Sequence, residues 1–310
     1  MQPLNDPEQR PGRPTLAMAA ACGAGVLWGT GALVVNLLVS RHGFTPASIS
    51  FWRFAIGAAV LLLVFGRRLP GRDIVALWRP LVGAGVAMAG YVLCWFLGIE
   101  RMGAAVPTLI ALCLPPVLVS LHGVLRGRER LDAPLVLVLG AALLGTALVV
   151  SRHGQSQAVP AADVLAGVGY SLVSALLFAG FSLGSGRLST RLGAGPAATC
   201  MTIVAAAAMG LYGWVRPLQW PEGLPPQAWY LYLGVVTAAL ALLAFSWGAA
   251  RISATALTVA TLIEPLTAVL LSAWLLGEAL GPLQYAGAVL LMAAIWGLGR
   301  RVNGAAGPSH

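Results

Sequence analysis

Ten apolar runs, most close to 20 residues long, fill this 310-residue chain almost from end to end. They are Leu16–Ser40, Ala47–Gly66, Leu81–Ile99, Ala104–Leu125, Ala133–Val150, Val164–Leu188, Pro196–Val215, Trp229–Ala250, Ala254–Leu276 and Pro282–Gly299. A helix rises about 1.5 Å per residue, so about 20 apolar residues cross the roughly 30 Å of a bilayer's hydrocarbon. Strands of a membrane barrel would alternate in polarity over about 10 residues. These runs are continuous, so the expectation is an all-α membrane protein of ten transmembrane helices. Charged residues make up only 9% of the chain and mean hydropathy is +0.84, too few charges to coat a water-soluble protein of this length. Arg10 and Arg13 before the first run resemble a signal peptide, but the run is too long for a cleaved segment and reads as an uncleaved first helix.

The gaps between runs carry the charge. All 19 basic residues are arginine, and 14 of them fall on the side of the bundle that holds the N-terminus. Four (Arg41, Arg101, Arg152 and Arg216) fall on the other side, and Arg53 lies inside a run. Positive residues are retained on the cytoplasmic side, which predicts that both termini are cytoplasmic and that the protein is multi-pass in the inner (plasma) membrane. The net charge of +9 is not a nucleic-acid footprint, because no polar domain gathers it. Cys22, Cys94, Cys113 and Cys200 sit inside apolar runs with no CxxC pair, so they read as small buried hydrophobes and no metal site is expected. No phosphate-binding glycine loop is present, and no cofactor is expected.

The chain also repeats itself. A shift of 149 residues lays Pro116 on Pro265 and Glu129 on Glu278, and a shift of 150 lays Leu27-Trp28-Gly29 on Leu177-Phe178-Ala179. A polar stretch from Ser151 to Asp163, containing Pro160, separates the halves. The expected division is a tail over 1–15, a first repeat over 16–150, a linker over 151–163, a second repeat over 164–300 and a tail over 301–310. Each half holds five helices. Five is odd, so the second copy enters from the opposite side and the repeats are inverted.

Inverted repeats place a substrate site near the midplane, beside interrupted helices at matched positions. Pro115 and Pro116 in the fourth run, with Pro265 in the ninth, fit that description, since proline removes backbone hydrogen bonds and frees carbonyls. Glu264 lies roughly 15 Å along the ninth run. A carboxylate there must face the interior, be paired or be protonated. It reads either as a cation-binding or proton-relaying group or as a structural acid. Arg53 lies about 9 Å inside the second run. Snorkelling or structural pairing is its simpler reading, and binding of a substrate carboxylate the sharper one. Trp28, Tyr91, Trp95, Tyr170, Phe178, Phe245 and Trp247 fall at or near mid-span and are candidate walls of a pocket. Gly25 and Gly29 form a small-xxx-small pattern that lets helices approach. Gly180-Phe181-Ser182-Leu183-Gly184 matches a hydrolase nucleophile pattern, but falls within a helix instead of a strand-to-helix turn.

The segment Ser253–Ile295 resembles the second EamA-type domain of the drug/metabolite transporter superfamily. The features that carry the resemblance are Glu264-Pro265, Leu276-Gly277-Glu278 and Gly287, with Trp28-Gly29, Arg53-Phe54, Pro116 and Glu129 as companions in the first half. The likeness covers roughly residues 16 to 300 and departs from the pattern at Pro115, where the first copy lacks the acid, and in having no lysine. It implies a carrier working by alternating access, with a small-molecule substrate and the lipid bilayer as partners and a homodimer admitted but not required. Amino acids or related small metabolites, moved outward, are the implied cargo, with sugars or nucleotide-sugars as the alternative within transporters. A membrane-embedded enzyme or lipid-handling protein would need a cluster of His, Asp or Ser on one cavity, which the runs do not offer, so no enzymatic activity is expected.

Overall fold

The computed structural model describes residues 14–103, 105–127, 129–130, 132–150, 160–276 and 280–305. Among these it is helical, without strands, and ten of its helices are long and apolar enough to cross a membrane. In chain order they are α1 (Pro14–His42), α2 (Pro46–Phe65), α3 (Trp78–Met102), α4 (Ala105–Leu125), α5 (Ala133–Val150), α6 (Ala161–Leu192) and α7 (Ala194–Tyr212). Then come α8 (Pro226–Ala249), α9 in two pieces (Ala254–Ala260 and Ile263–Leu276) and α10 (Pro282–Ala305). A 3-10 turn, Gly66–Arg68, and a short helix, Gly71–Ala76, join α2 to α3. Gly277 and Glu278 lie outside the described residues, as do 1–13 and 306–310 of the tails and residues 151–159 of the linker.

Local chemistry sets the ends. Thr45 accepts the Ser48 amide 3.3 Å away and Pro46 occupies the first turn, so α2 starts there. Ser253 caps α9 in the same way, accepting from the Ala256 amide at 3.2 Å. Gly103 and Gly193, both at positive φ (77° and 85°), make the tight reversals between α3 and α4 and between α6 and α7. The helices overrun the apolar runs at several ends. In α6 the helix reaches back to Ala161 and on to Leu192, taking in Arg191, because backbone hydrogen bonding continues after the hydrocarbon ends.

The packing exchanges the two halves. α1 lies against α8 and α9, and their counterparts repeat this, with α6 against α3 and α4. α2 pairs with its own counterpart α7, and α5 with α10. That is the contact pattern of two five-helix units related by a two-fold axis. Small residues set the spacing. A Cβ on Gly145 would come 2.9 Å from the Gly287 carbonyl, and one on Gly287 would come 2.8 Å from the Gly145 carbonyl, so α5 and α10 touch backbone to backbone.

α8 is not a plain helix. Residues Leu233–Leu240 form a π-helical stretch, and the indole of Trp28 on α1 donates to the Thr237 carbonyl within it at 2.9 Å. A widened turn leaves carbonyls less committed to their own helix, and here a side chain from the other repeat takes one.

Candidate functional site

The α9 break explains where the acid sits. Pro265 has no amide hydrogen, so the Thr261 carbonyl loses its normal partner four residues on. The Glu264 amide takes that carbonyl instead at 3.0 Å, and the Leu262 amide bonds Val259 at 3.1 Å, leaving Thr261 and Leu262 outside the helix. The second piece then opens at Ile263 with Glu264 in its first turn, where the positive end of the helix favours a carboxylate. Two glycines of α1 bear directly on this break. A Cβ on Gly25 would stand 3.0 Å from the Thr261 carbonyl, and one on Gly29 would stand 2.6 Å from the Glu264 carbonyl. The glycine pair therefore fixes how deeply Glu264 projects, beyond serving helix packing.

The fourth helix responds differently. α4 stays helical through Pro115 and Pro116, both buried. Their missing amide hydrogens belong to the carbonyls of Ala111 and Leu112, four residues earlier. Ala111 and Leu112 are the α4 residues that line a central cavity. Sequence reasoning named the prolines and missed these two, although counting back four residues from each proline finds them.

That cavity brings together Trp28 of α1, Arg53 of α2, Tyr91, Val92 and Trp95 of α3, Ser174 and Phe178 of α6, and Glu264 of α9. Its volume is about 40 Å³, room for roughly three water molecules. Most lining polar groups are engaged elsewhere. Ser174 donates to the Tyr91 carbonyl at 2.8 Å, Trp95 to Thr108 Oγ1 at 3.1 Å, and Trp28 to Thr237 as above. Arg53, Tyr91 and Glu264 remain. Arg53 shares the wall with Tyr91 and Glu264, its Nε is buried without a partner, and no salt bridge closes to Glu264 among the described residues. Arg53 is thus in the cavity wall and does not snorkel. A guanidinium and a carboxyl group face one chamber without contact between them.

Below the cavity, towards the end of the bundle that carries both termini, lies an aromatic floor. Phe181 and Phe245 are fully buried and stack with centroids 5.3 Å apart. Trp28 lies 5.4 Å from Phe245 and Tyr91 5.0 Å from Phe178. The floor closes that route, as offset and edge-on ring contacts pack densely.

The other residues singled out from sequence sit elsewhere. Pro115, Pro116 and Pro265 are buried behind the wall and do not line the cavity. Tyr170 is half-buried on α6, away from it. Trp247 lines a separate groove on the outside of the bundle. Ser182, in the hydrolase-like pattern, lies within α6 and donates to the Phe178 carbonyl at 2.8 Å, so its hydroxyl is committed to its own helix. Glu129, just beyond α4, accepts from Thr255 on α9 at 2.7 Å and ties the two proline helices together at one end.

Comparison with known proteins agrees with this architecture. The sequence model of the EamA-like transporter family matches residues 15–151 and again 165–300. An uncharacterized transporter of Bacillus subtilis (strain 168), YwfM, is 29% identical over 276 residues, covering 87% of this chain and 88% of that protein. An uncharacterized transporter of Archaeoglobus fulgidus is 27% identical over 279 residues, covering 89% and 94%. Among solved structures, one crystal structure superposes with a TM-score of 0.77 at 21% identity, covering 93% of this chain and 98% of the other, a likeness of fold.

Proposed function

The chain belongs to the EamA-like transporter family, and from the make-up of its cavity we infer that it is a secondary carrier exporting amino acids or closely related small zwitterionic metabolites by alternating access. The observation that supports this is the presence of Arg53 and Glu264 together in one aromatic-walled chamber. A guanidinium recognises a carboxylate through directed, charge-assisted hydrogen bonds, with the Tyr91 hydroxyl beside it. Glu264 offers an acceptor for an ammonium group, and beside it in the wall stand Ala111 and Leu112, whose carbonyls lose their usual amide partners to Pro115 and Pro116. The rings of Trp28, Trp95 and Phe178 suit an apolar side chain or the cation itself. A sugar needs many neutral donors and acceptors, and this chamber spends most of its neutral groups on internal bonds.

The cavity as it stands is far smaller than the roughly 300–1,000 Å³ of typical ligand sites. Loading therefore requires the helices to part. The aromatic floor blocks the end that carries the termini, so that end opens in the other half of the cycle. We place both termini in the cytoplasm and the protein in the plasma membrane, on the arginine bias. Untargeted metabolite comparison of medium and cells, with the gene deleted and overexpressed, tests the assignment. Amino acids or their close derivatives should accumulate in the medium with expression and in the cells on deletion. A change confined to sugars or to membrane lipids would overturn it.

A further inference from the structure

We propose that the groove on the outside of α2, α7 and α8 is a binding site for an anionic phospholipid of the leaflet at the end of the bundle that carries both termini. The groove holds about 550 Å³ and is almost wholly apolar, with Ala20, Phe65, Gly195, Leu240, Leu243 and Trp247 in its walls. Phe65 reaches in because position 195 is glycine: a Cβ there would run into the Phe65 ring. Leu240 closes the π stretch of α8, and Leu243 and Trp247 follow in the next two turns. The floor suits an acyl chain.

The rim suits a phosphodiester. Three of the four segments that build the groove meet its end through arginine. α2 passes from Phe65 to Arg67 and Arg68, the turn into α7 passes from Arg191 to Ala194, and α8 passes from Trp247 to Arg251. Arg251 is fixed in place, its guanidinium 4.0 Å from the centroid of the Trp247 ring and its Nη1 donating to the Trp247 carbonyl at 2.9 Å. Residues 54–72, 187–221 and 240–263 contain no Asp or Glu, and none of these four arginines has a carboxylate partner among the described residues. A basic rim over an apolar groove between membrane helices complements an anionic headgroup with its acyl chain beneath.

The test is lipid binding by purified full-length protein in detergent, read by native mass spectrometry and thermal unfolding. The lipids are phosphatidylglycerol and phosphatidylcholine of the same acyl composition. Phosphatidylglycerol should bind at least fivefold more tightly and raise the midpoint. Arg251→Gln should erase most of that preference, and Ala244→Trp, which fills the groove, should weaken both lipids. Equal binding of the two lipids by the unaltered protein would overturn the proposal. So would an equal stabilisation by inorganic phosphate, since the acyl chain would then contribute nothing. A dimer abolished by Ala244→Trp and indifferent to lipid charge would assign the groove to a second copy instead.

Discussion

α4 and α9 occupy matched places in the two repeats and both lose backbone donors to proline, yet they dispose of the loss in different ways. α9 has one proline, breaks at Thr261–Leu262, and reuses the stranded carbonyl within its own turn through the Glu264 amide. α4 has two prolines beyond its first turn, Pro115 and Pro116, and stays helical, so the carbonyls of Ala111 and Leu112 lose their usual amide partners four residues on. One repeat supplies a carboxylate on a fresh helix start and the other supplies carbonyls that proline has stripped of their usual amide partners. A symmetric scaffold thereby yields an asymmetric chamber, as an asymmetric substrate requires.

The sharpest way to break this contrast is through α1. Gly29→Leu drives a side chain into the Glu264 backbone and should abolish folded, transport-competent protein, since overpacking of this kind costs about 1–3 kcal/mol or more. At Gly23 on the same helix an added Cβ meets nothing within 4 Å, so Gly23→Leu should leave thermal unfolding and folded yield unchanged. Equal behaviour of the two variants in size-exclusion and melting assays would remove the glycine–break contact from the account.

Next in size is Glu264→Gln, which should lower transport at least tenfold, as losing one partner of a buried charged contact removes about 2–5 kcal/mol. If Glu264 also relays a proton, the remaining transport should lose its pH dependence. An unchanged pH profile with lowered transport would confine Glu264 to binding.

Smaller again, Pro115→Ala and Pro116→Ala return donors to Ala111 and Leu112. Each should raise the melting temperature, because proline inside a helix is disfavoured by up to about 3 kcal/mol, while transport falls severalfold. Pro265→Ala should behave differently, closing the break and shifting Glu264, with loss of transport close to that of Glu264→Gln. Identical effects at all three prolines would erase the distinction between the repeats.

The smallest effect is expected outside the bundle core. Asp132 accepts from Arg301 of α10 at 2.6 Å and from the Leu135 amide at 3.0 Å, and the guanidinium chiefly holds its carboxyl below the usual range. A carboxylate depressed in the folded state stabilises above its unfolded pKa, and that contribution is lost as pH falls through the folded value. Asp132→Asn should therefore lower the midpoint slightly at neutral pH, with the difference vanishing on acidification.

The spans were legible because a membrane helix must keep its apolar run unbroken, and that requirement leaves a plain mark in sequence. The repeat was legible in Pro116, Pro265 and the acids that follow them at equal distance. Facing was not. Trp247 and Tyr170 sit mid-run like Trp28 and Trp95, but helices that are apolar all round give no period by which to sort cavity from lipid. The meeting of Arg53 with Glu264, far apart in sequence, follows from tertiary packing alone. The π stretch of α8 has no proline to announce it. The α9 break is offset from its cause, falling at Thr261–Leu262 ahead of Pro265, because the carbonyl that proline strands lies one turn earlier.

The most direct measurement is counterflow into proteoliposomes with matched sets of labelled solutes. Each set holds an amino acid, the amine left by removing its carboxylate, and the acid left by removing its amine. Recognition by Arg53 at one pole and Glu264 at the other requires that the amino acid exchange while both truncated solutes fail. It further requires that Arg53→Gln and Glu264→Gln each remove exchange of the amino acid. Exchange of the amine or the acid at the rate of the parent amino acid, or of a neutral sugar in preference to all three, would contradict the account.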